Sequence, residues 1–258
     1  MTLRELWERG EPTVGTWLVT PSDLSAELLG RAGFDWICVD GQHGLVGYEG
    51  MLTLLQGLAI AGVPAFVRVP SNSPEHIARA LDAGAQGVVV PMVSTREAAE
   101  QAVTAAKYPP EGTRSWGPSR NVLRVPDYSA AVANRRNVVA VMIETPEGVA
   151  NMDEIMSVPG VDAIYVGPND LALGFGREQN DPEQEAVVAS LLDGCRRHGV
   201  VAGIHCDDAQ TVARRRESGF HMLNLATDAS LLYHGALHEL AVARGAEAAP
   251  PRRTASYV

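Results

Sequence analysis

Three stretches of the chain bring acid, base and cation close together. Asp40-Gly41-Gln42-His43 sets a carboxylate three residues before an imidazole, and Phe66-Val67-Arg68 carries a guanidinium on an apolar run. Glu144 and Gly167-Pro168-Asn169-Asp170 each place a carboxylate just after another short apolar run. An aspartate beside a histidine can fix the imidazole tautomer and prepare a general base. In the competing reading Asp40 caps a turn and His43 is solvated. Two carboxylates that leave positions open to water or substrate suit Mg²⁺ or Mn²⁺, whereas zinc would want more histidine or thiolate. The alternative for both acids is a surface or helix-capping role. Arg68, in a run that should be interior, needs an anion, and a substrate carboxylate and an internal acid serve equally well.

Other candidates carry less. His205-Cys206 reads as packing, and His234 and His238, four apart, read as one exposed helical face. Gly174-Phe175-Gly176 lacks the third glycine of a dinucleotide fingerprint, and the chain has no Gly-x-Ser-x-Gly elbow or Walker motif.

The elements that would position these residues are legible as a rhythm. Short apolar runs occur at 13–19, 35–40, 65–69, 87–91, 138–144, 163–167, 200–205 and 222–226. Most are continuously apolar, as in Trp36-Ile37-Cys38-Val39, which is the signature of strands buried on both faces of a parallel sheet. Helical spacing fills the intervals at 26–32, 50–61, 74–83, 95–106, 151–156, 182–198, 209–218 and 230–243. Ser73-Pro74 and Asp181-Pro182 read as helix starts, and Gly33, Gly62, Gly84, Gly199 and Gly219 as helix stops. Eight strand-helix units with right-handed crossovers predict an α/β fold, a single (β/α)8 TIM barrel. An open doubly wound sheet is the structural alternative. Residues 1–244 form the expected barrel, and 245–258 read as a disordered tail or an arm lying on another subunit. Barrel enzymes collect their chemistry at the C-terminal ends of the strands, where Asp40, His43, Arg68, Glu144 and Asp170 all fall. The long Gly- and Pro-rich connection 108–137 breaks the rhythm. Its Trp116, Leu123 and Val125 are candidate walls for a second substrate.

Composition narrows the function classes. With 31 acidic and 21 basic residues among 258, the net charge of −10 repels polyanions, so no nucleic-acid partner is expected. No apolar run approaches the roughly 20 residues of a membrane span and no signal pattern opens the chain, which predicts a cytoplasmic protein without membrane contact. Cys38, Cys195 and Cys206 are too scattered for a disulfide framework. Lys107 is the only lysine, so any imine chemistry would have to use it.

Taken together, Phe34-Asp35-Trp36-Ile37-Cys38-Val39-Asp40-Gly41-Gln42-His43-Gly44, Arg68-Val69-Pro70, Gly87-Val88-Val89-Val90-Pro91-Met92-Val93, Tyr108-Pro109-Pro110-Glu111-Gly112-Thr113-Arg114, Met142-Ile143-Glu144-Thr145 and Val166-Gly167-Pro168-Asn169-Asp170-Leu171 resemble the 4-hydroxy-2-oxoheptanedioate aldolase and 2-dehydro-3-deoxyglucarate aldolase family. The resemblance runs in order from about residue 15 to 232. It implies a phosphoenolpyruvate/pyruvate-type barrel, usually a homo-hexamer, acting as a class II aldolase. Such an enzyme cleaves a 4-hydroxy-2-oxo acid into pyruvate, or a related 2-oxo acid, and an aldehyde through an enolate held on a divalent ion (Mg²⁺, Mn²⁺ or Co²⁺). No Schiff-base lysine is implied. Residue by residue, it implies Glu144 and Asp170 as metal ligands and Arg68 as the pyruvate-binding arginine. His43 with Asp40 matches the acid/base pair, and Trp17, Gln42, Gly167, Pro168 and Asn169 are the expected substrate contacts. Asp82 matches an aspartate that reaches a neighbouring subunit's site. Gln42 and Met142 depart from the family's glutamate and glutamine at those positions, which bears on the polarity around the metal. A malyl- or citramalyl-coenzyme A lyase and a non-catalytic barrel that binds 2-oxo acids are the alternatives.

Overall fold

The computed structural model describes residues 3–179 and 181–245; the tail expected at 245–258 lies, apart from Gly245, outside the described residues. Helix α1 (Leu3–Glu8) leads into β1 (Thr13–Leu18), α2 (Asp23–Gly30), β2 (Trp36–Asp40) and α3 (Tyr48–Ala61). Then come β3 (Ala65–Arg68), α4 (Pro74–Asp82), β4 (Gly87–Val90), α5 (Arg96–Ala106) and two short helices, α6 (Asn121–Arg124) and α7 (Ala130–Arg136). The third quarter holds β5 (Val138–Ile143), α8 (Pro146–Ala150), α9 (Met152–Met156), β6 (Ala163–Val166), α10 (Pro168–Phe175) and α11 (Pro182–His198). The chain closes with β7 (Val201–Ile204), α12 (Ala209–Ser218), β8 (Met222–Thr227) and α13 (Asp228–Ala243). All eight strands pair in parallel and β8 returns to β1, a closed barrel. The expected (β/α)8 architecture is therefore the observed one, and the doubly wound sheet is excluded.

Continuous apolar strands follow from burial on both faces. Their outward residues, such as Ile37, Val39, Val67, Val88 and Val90, join the helices in one large core. The inward ones, including Trp17, Trp36, Phe66, Val89, Met142 and Tyr165, fill the barrel axis. A closed eight-stranded barrel has room for side chains only if bulky ones meet small neighbours. Gly15 lies opposite Trp36 and Gly87 opposite Phe66, and a Cβ at either would come within 2.2 or 2.4 Å of the aromatic ring. Gly62 and Gly199 do end α3 and α11 in left-handed backbone. Ser73 stands at the start of α4 without capping it through its side chain, while Asp181 accepts the Glu183 N–H at 2.8 Å.

Helix α1 is the principal addition to the expected elements. Leu3 and Trp7, one turn apart, are buried against the bottom of the barrel, and Trp7 Nε1 donates to Thr13 Oγ1 at 3.0 Å. Arg4 clamps Asp162, ahead of β6, through two bonds of 2.6 and 2.7 Å.

The long connection requires a correction. It leaves the C-terminal end of α5 and stays at the barrel end away from the strand C-termini, where Arg120 and Asn121 donate to the carbonyls of Ala83 and Leu81 at the foot of α4. Trp116 stacks among Tyr108 and Tyr128 there. Within one subunit, Trp116, Leu123 and Val125 therefore do not wall the mouth, because an α-to-β connection ends where strands begin.

Lys107 is at this same end. It is buried, and its ammonium donates to the main-chain carbonyls of Asn134 and Asn137, just before β5. Burial also pushes its pKa down. Lys107→Ala strands two carbonyls without their donor, which costs on the order of 1–3 kcal/mol. Urea unfolding should show that loss, and an unchanged midpoint would contradict the structural role.

Candidate active site

Strand ends around the barrel and the first turn of α10 build one mouth. Asp40 and Arg68 are register partners at the ends of β2 and β3, both buried. The guanidinium forks onto the carboxylate, Nε to Oδ1 at 2.8 Å and Nη2 to Oδ2 at 2.6 Å. Of the two readings open for Arg68, the internal ion pair is present, and a buried arginine paired this way is fixed in orientation. Its other support is the indole of Trp17, whose ring centre lies 4.4 Å from the guanidinium carbon. Asp40 Oδ1 also accepts the main-chain N–H groups of Gln42 and His43 at 3.1 and 3.2 Å. The carboxylate thus shapes the Gly41-Gln42-His43 turn and leaves His43 at the exposed rim. The turn-capping role and the sequence proximity of the two residues are parts of one arrangement.

Glu144 directly follows β5 and is 3% exposed. Its Oε1 accepts the N–H of Met92 at 2.7 Å. Met92 has a φ of 58°, the left-handed region that a non-glycine residue adopts at a cost, and this strain turns its amide toward the carboxylate. Burial holds the Glu144 carboxyl above the ordinary carboxylate range; Asp170 pushes the same way, while the Met92 N–H and Arg68 pull it back. Asp170 lies in the first turn of α10, exposed, where the helix N-terminus favours an anion. Gly167 keeps the space between them open: a Cβ there would sit 2.8 Å from Glu144 Oε2 and 3.4 Å from the Met142 methyl. Met142 is buried beneath, which makes this floor apolar.

The pair fits a divalent cation. A buried Glu144 whose proton affinity is raised by burial and by Asp170 asks for positive charge, the donors are all oxygen, and Gly167 leaves room beside the inner one. Among the described residues no group of three His, Cys, Asp or Glu converges, so water and substrate would complete the shell.

Pro168 and Asn169 are half-buried beside Asp170, and Gln42 is half-buried on the opposite rim. Gln42 Oε1 and His205 Nε2 are buried without a hydrogen-bond partner among the described residues, the kind of polar atom that a bound ligand satisfies. Asp82 is not brought to this mouth; it pairs with the buried Arg114 at the foot of α4. Asp228 is structural, accepting Val19 N–H at 2.8 Å together with the Thr20 hydroxyl. Sequence reasoning missed Met92, and nothing in a side-chain pattern marks a residue that contributes only its main chain.

Residues 13–235 match the model of the HpcH/HpaI aldolase/citrate lyase family. The chain belongs to that family. It is 36% identical to a hydroxypyruvate/pyruvate aldolase of Rhizorhabdus wittichii, over 94% of this chain and 98% of that one. A 4-hydroxy-2-oxo-heptane-1,7-dioate aldolase of Klebsiella pneumoniae is 38% identical, with 90% of each chain covered. Among solved structures, an HpcH/HpaI aldolase/citrate lyase family protein from Burkholderia cenocepacia superposes with a TM-score of 0.85 at 31% identity, covering 94% of this chain and 98% of that one.

His205 supplies a pH test of the mouth. Burial, with Arg68 adding to it, pushes its imidazole down to about 4, and the ring stands edge-on to Trp17 at 5.4 Å. An unfolded histidine takes its proton near pH 6.5, whereas the folded one resists until about 4. Between those values the unfolded chain binds more protons, so this residue makes stability fall as pH falls. Unfolding free energies measured from pH 7 to 4.5 should decline less steeply in His205→Gln than in the parent. Equal slopes would show that His205 is protonated without penalty.

Proposed function

We propose that this member of the family is a class II pyruvate aldolase, reversibly cleaving a 4-hydroxy-2-oxo acid into pyruvate, or a related 2-oxo acid, and an aldehyde. The observation that carries this reading is the acid pair Glu144 and Asp170 at the same mouth as the ion-paired Arg68, with the chain's one lysine at the other end of the barrel. The aldolase names of the relatives at 36 and 38% identity favour it over the coenzyme A-ester lyases.

Glu144 and Asp170 would hold a divalent cation, Mg²⁺ or Mn²⁺, with Co²⁺ as a third fit. When bound, the ion supplies Lewis-acid stabilisation of negative charge on the keto oxygen. Arg68 presents an oriented positive charge to the carboxylate end of the 2-oxo acid, with its Nε–Nη2 edge pinned by Asp40. Trp17 packs its ring against that guanidinium, and Gln42, Gly167, Pro168 and Asn169 line the substrate. His43, on the turn shaped by Asp40, takes the proton from the C4 hydroxyl as the C3–C4 bond breaks. The bonding pair passes to C3, C4 leaves as the aldehyde carbonyl, and a proton added at C3 completes pyruvate. In the synthetic direction His43 returns the proton to the C4 oxygen.

The enzyme works as a homo-oligomer of six copies in this reading. Leu232, Leu237, Leu240 and Val242 are exposed apolar side chains around α13, Asp82 faces away from its own mouth, and a neighbour supplies the reason for both. We place it in the cytoplasm, consistent with three buried free thiols; none of the described helices is long and apolar enough to cross a membrane.

Pyruvate and an aldehyde panel should yield aldol product. A chelator should abolish turnover, and Mg²⁺ or Mn²⁺ should restore it. Arg68→Lys, if it keeps the parent's melting temperature, should lose roughly 10²-fold or more in kcat/KM, since lysine cannot copy the fork. Borohydride with pyruvate should trap nothing. A reduced pyruvyl adduct on Lys107, full activity without metal, or tight pyruvate binding without turnover would each overturn the proposal.

Light scattering tests the assembly separately. It should give about six times the 27.5 kDa chain mass, and a monomer at micromolar concentration would refute the subunit arrangement.

A further inference from the structure

The barrel has a second concavity at the end opposite the mouth. A cavity of about 500 Å³ opens where Gln86 precedes β4 and Val138 begins β5, between α1 and α7. That volume lies within the range of small-molecule sites, roughly 300–1,000 Å³. Its floor is apolar: Phe66 from the barrel axis, Val132 from α7 and Val138.

The rim is basic. Arg4 is neutralised by its two bonds to Asp162. Arg135 and Arg136, adjacent on the last turn of α7, meet no carboxylate and make no side-chain hydrogen bond among the described residues. Gln86 adds an amide that is likewise unpaired within the described chain. A helix C-terminus favours basic residues, which explains their presence on the last turn. It does not explain a concave apolar floor beneath them, nor two cations side by side without a carboxylate partner among the described residues, in a chain of net charge −10. Arg136 bears the strain, since burial and the charge of Arg124 both work against its cationic form.

The geometry points to a second ligand site at this end, for a small organic anion with a compact apolar body. The anionic group, carboxylate or phosphate, lies across Arg135 and Arg136 and accepts charge-assisted hydrogen bonds. The body rests on Phe66, Val132 and Val138, with Gln86 ready for a polar substituent. This site is independent of the aldolase reading, because none of its residues belongs to the mouth.

Calorimetric titration of the intact protein with phenyl phosphate, benzoate, inorganic phosphate and benzyl alcohol tests it. Phenyl phosphate or benzoate should bind saturably, and the bare ion and the neutral alcohol at least tenfold more weakly. The double variant Arg135→Gln/Arg136→Gln should weaken the aryl anion tenfold or more while keeping the parent's melting temperature and turnover. Which aryl anion binds tighter tells phosphate from carboxylate. Unchanged affinity in the double variant, inorganic phosphate binding as tightly as the aryl anions, or no saturable binding of either aryl anion would overturn the proposal.

Discussion

The mouth depends on one buried ion pair. Arg68 and Asp40 have left water together, and breaking such a pair by removing one partner costs about 3–5 kcal/mol, because the survivor is a charge with no solvent. The pair exists because β2 and β3 are in register at their last residues, so the barrel must close correctly before the charges can meet. Once formed it organises its surroundings. Asp40 gathers the main chain of Gln42 and His43, and Arg68 lies along Trp17, which in turn packs against Tyr165 and His205. Three strands and a turn are thereby tied to one salt bridge.

The acid pair works by the opposite logic. Asp40 is compensated within the protein, whereas Glu144 is buried with only a peptide N–H and a distant guanidinium for relief, and Asp170 adds repulsion. The backbone strain at Met92 and the missing side chain at Gly167 both serve this uncompensated carboxylate. Met142, standing where the resembling family has a glutamine, withholds a polar neighbour and deepens the burial. Such a site is poised for positive charge from outside the chain.

What was legible beforehand follows from what is local. Strands buried on both faces must be apolar without interruption, so runs such as Val88-Val89-Val90 declare themselves, and the acids that follow them are placed at the mouth by topology alone. Helices α1, α6, α7, α8 and α10 were not anticipated. All but α10 span only one or two turns, too few for periodicity to separate them from loops. The partner of Asp40 was hidden for a different reason. Three residues separate it from His43 and twenty-eight from Arg68, yet cross-strand register outranks sequence proximity. The long connection misled because its composition suggests a binding loop, while its position after α5 assigns it to the foot of the barrel.

Two of the buried cations of this chain, Lys107 and Arg68, show why the mouth uses arginine. Lys107, buried at the foot, has its proton affinity lowered and serves as a donor to two carbonyls. An amine placed where Arg68 stands would feel the same desolvation, opposed by the Asp40 carboxylate, and any neutral fraction would be the nucleophile that attacks a carbonyl. A guanidinium keeps its charge at any pH the fold survives. In the proposed reaction, fixed charge beside Glu144 and Asp170 would orient a 2-oxo acid without bonding to it covalently. The single lysine and the single buried mouth arginine are thus two sides of one chemical choice, made by which cation the strand end of β3 carries.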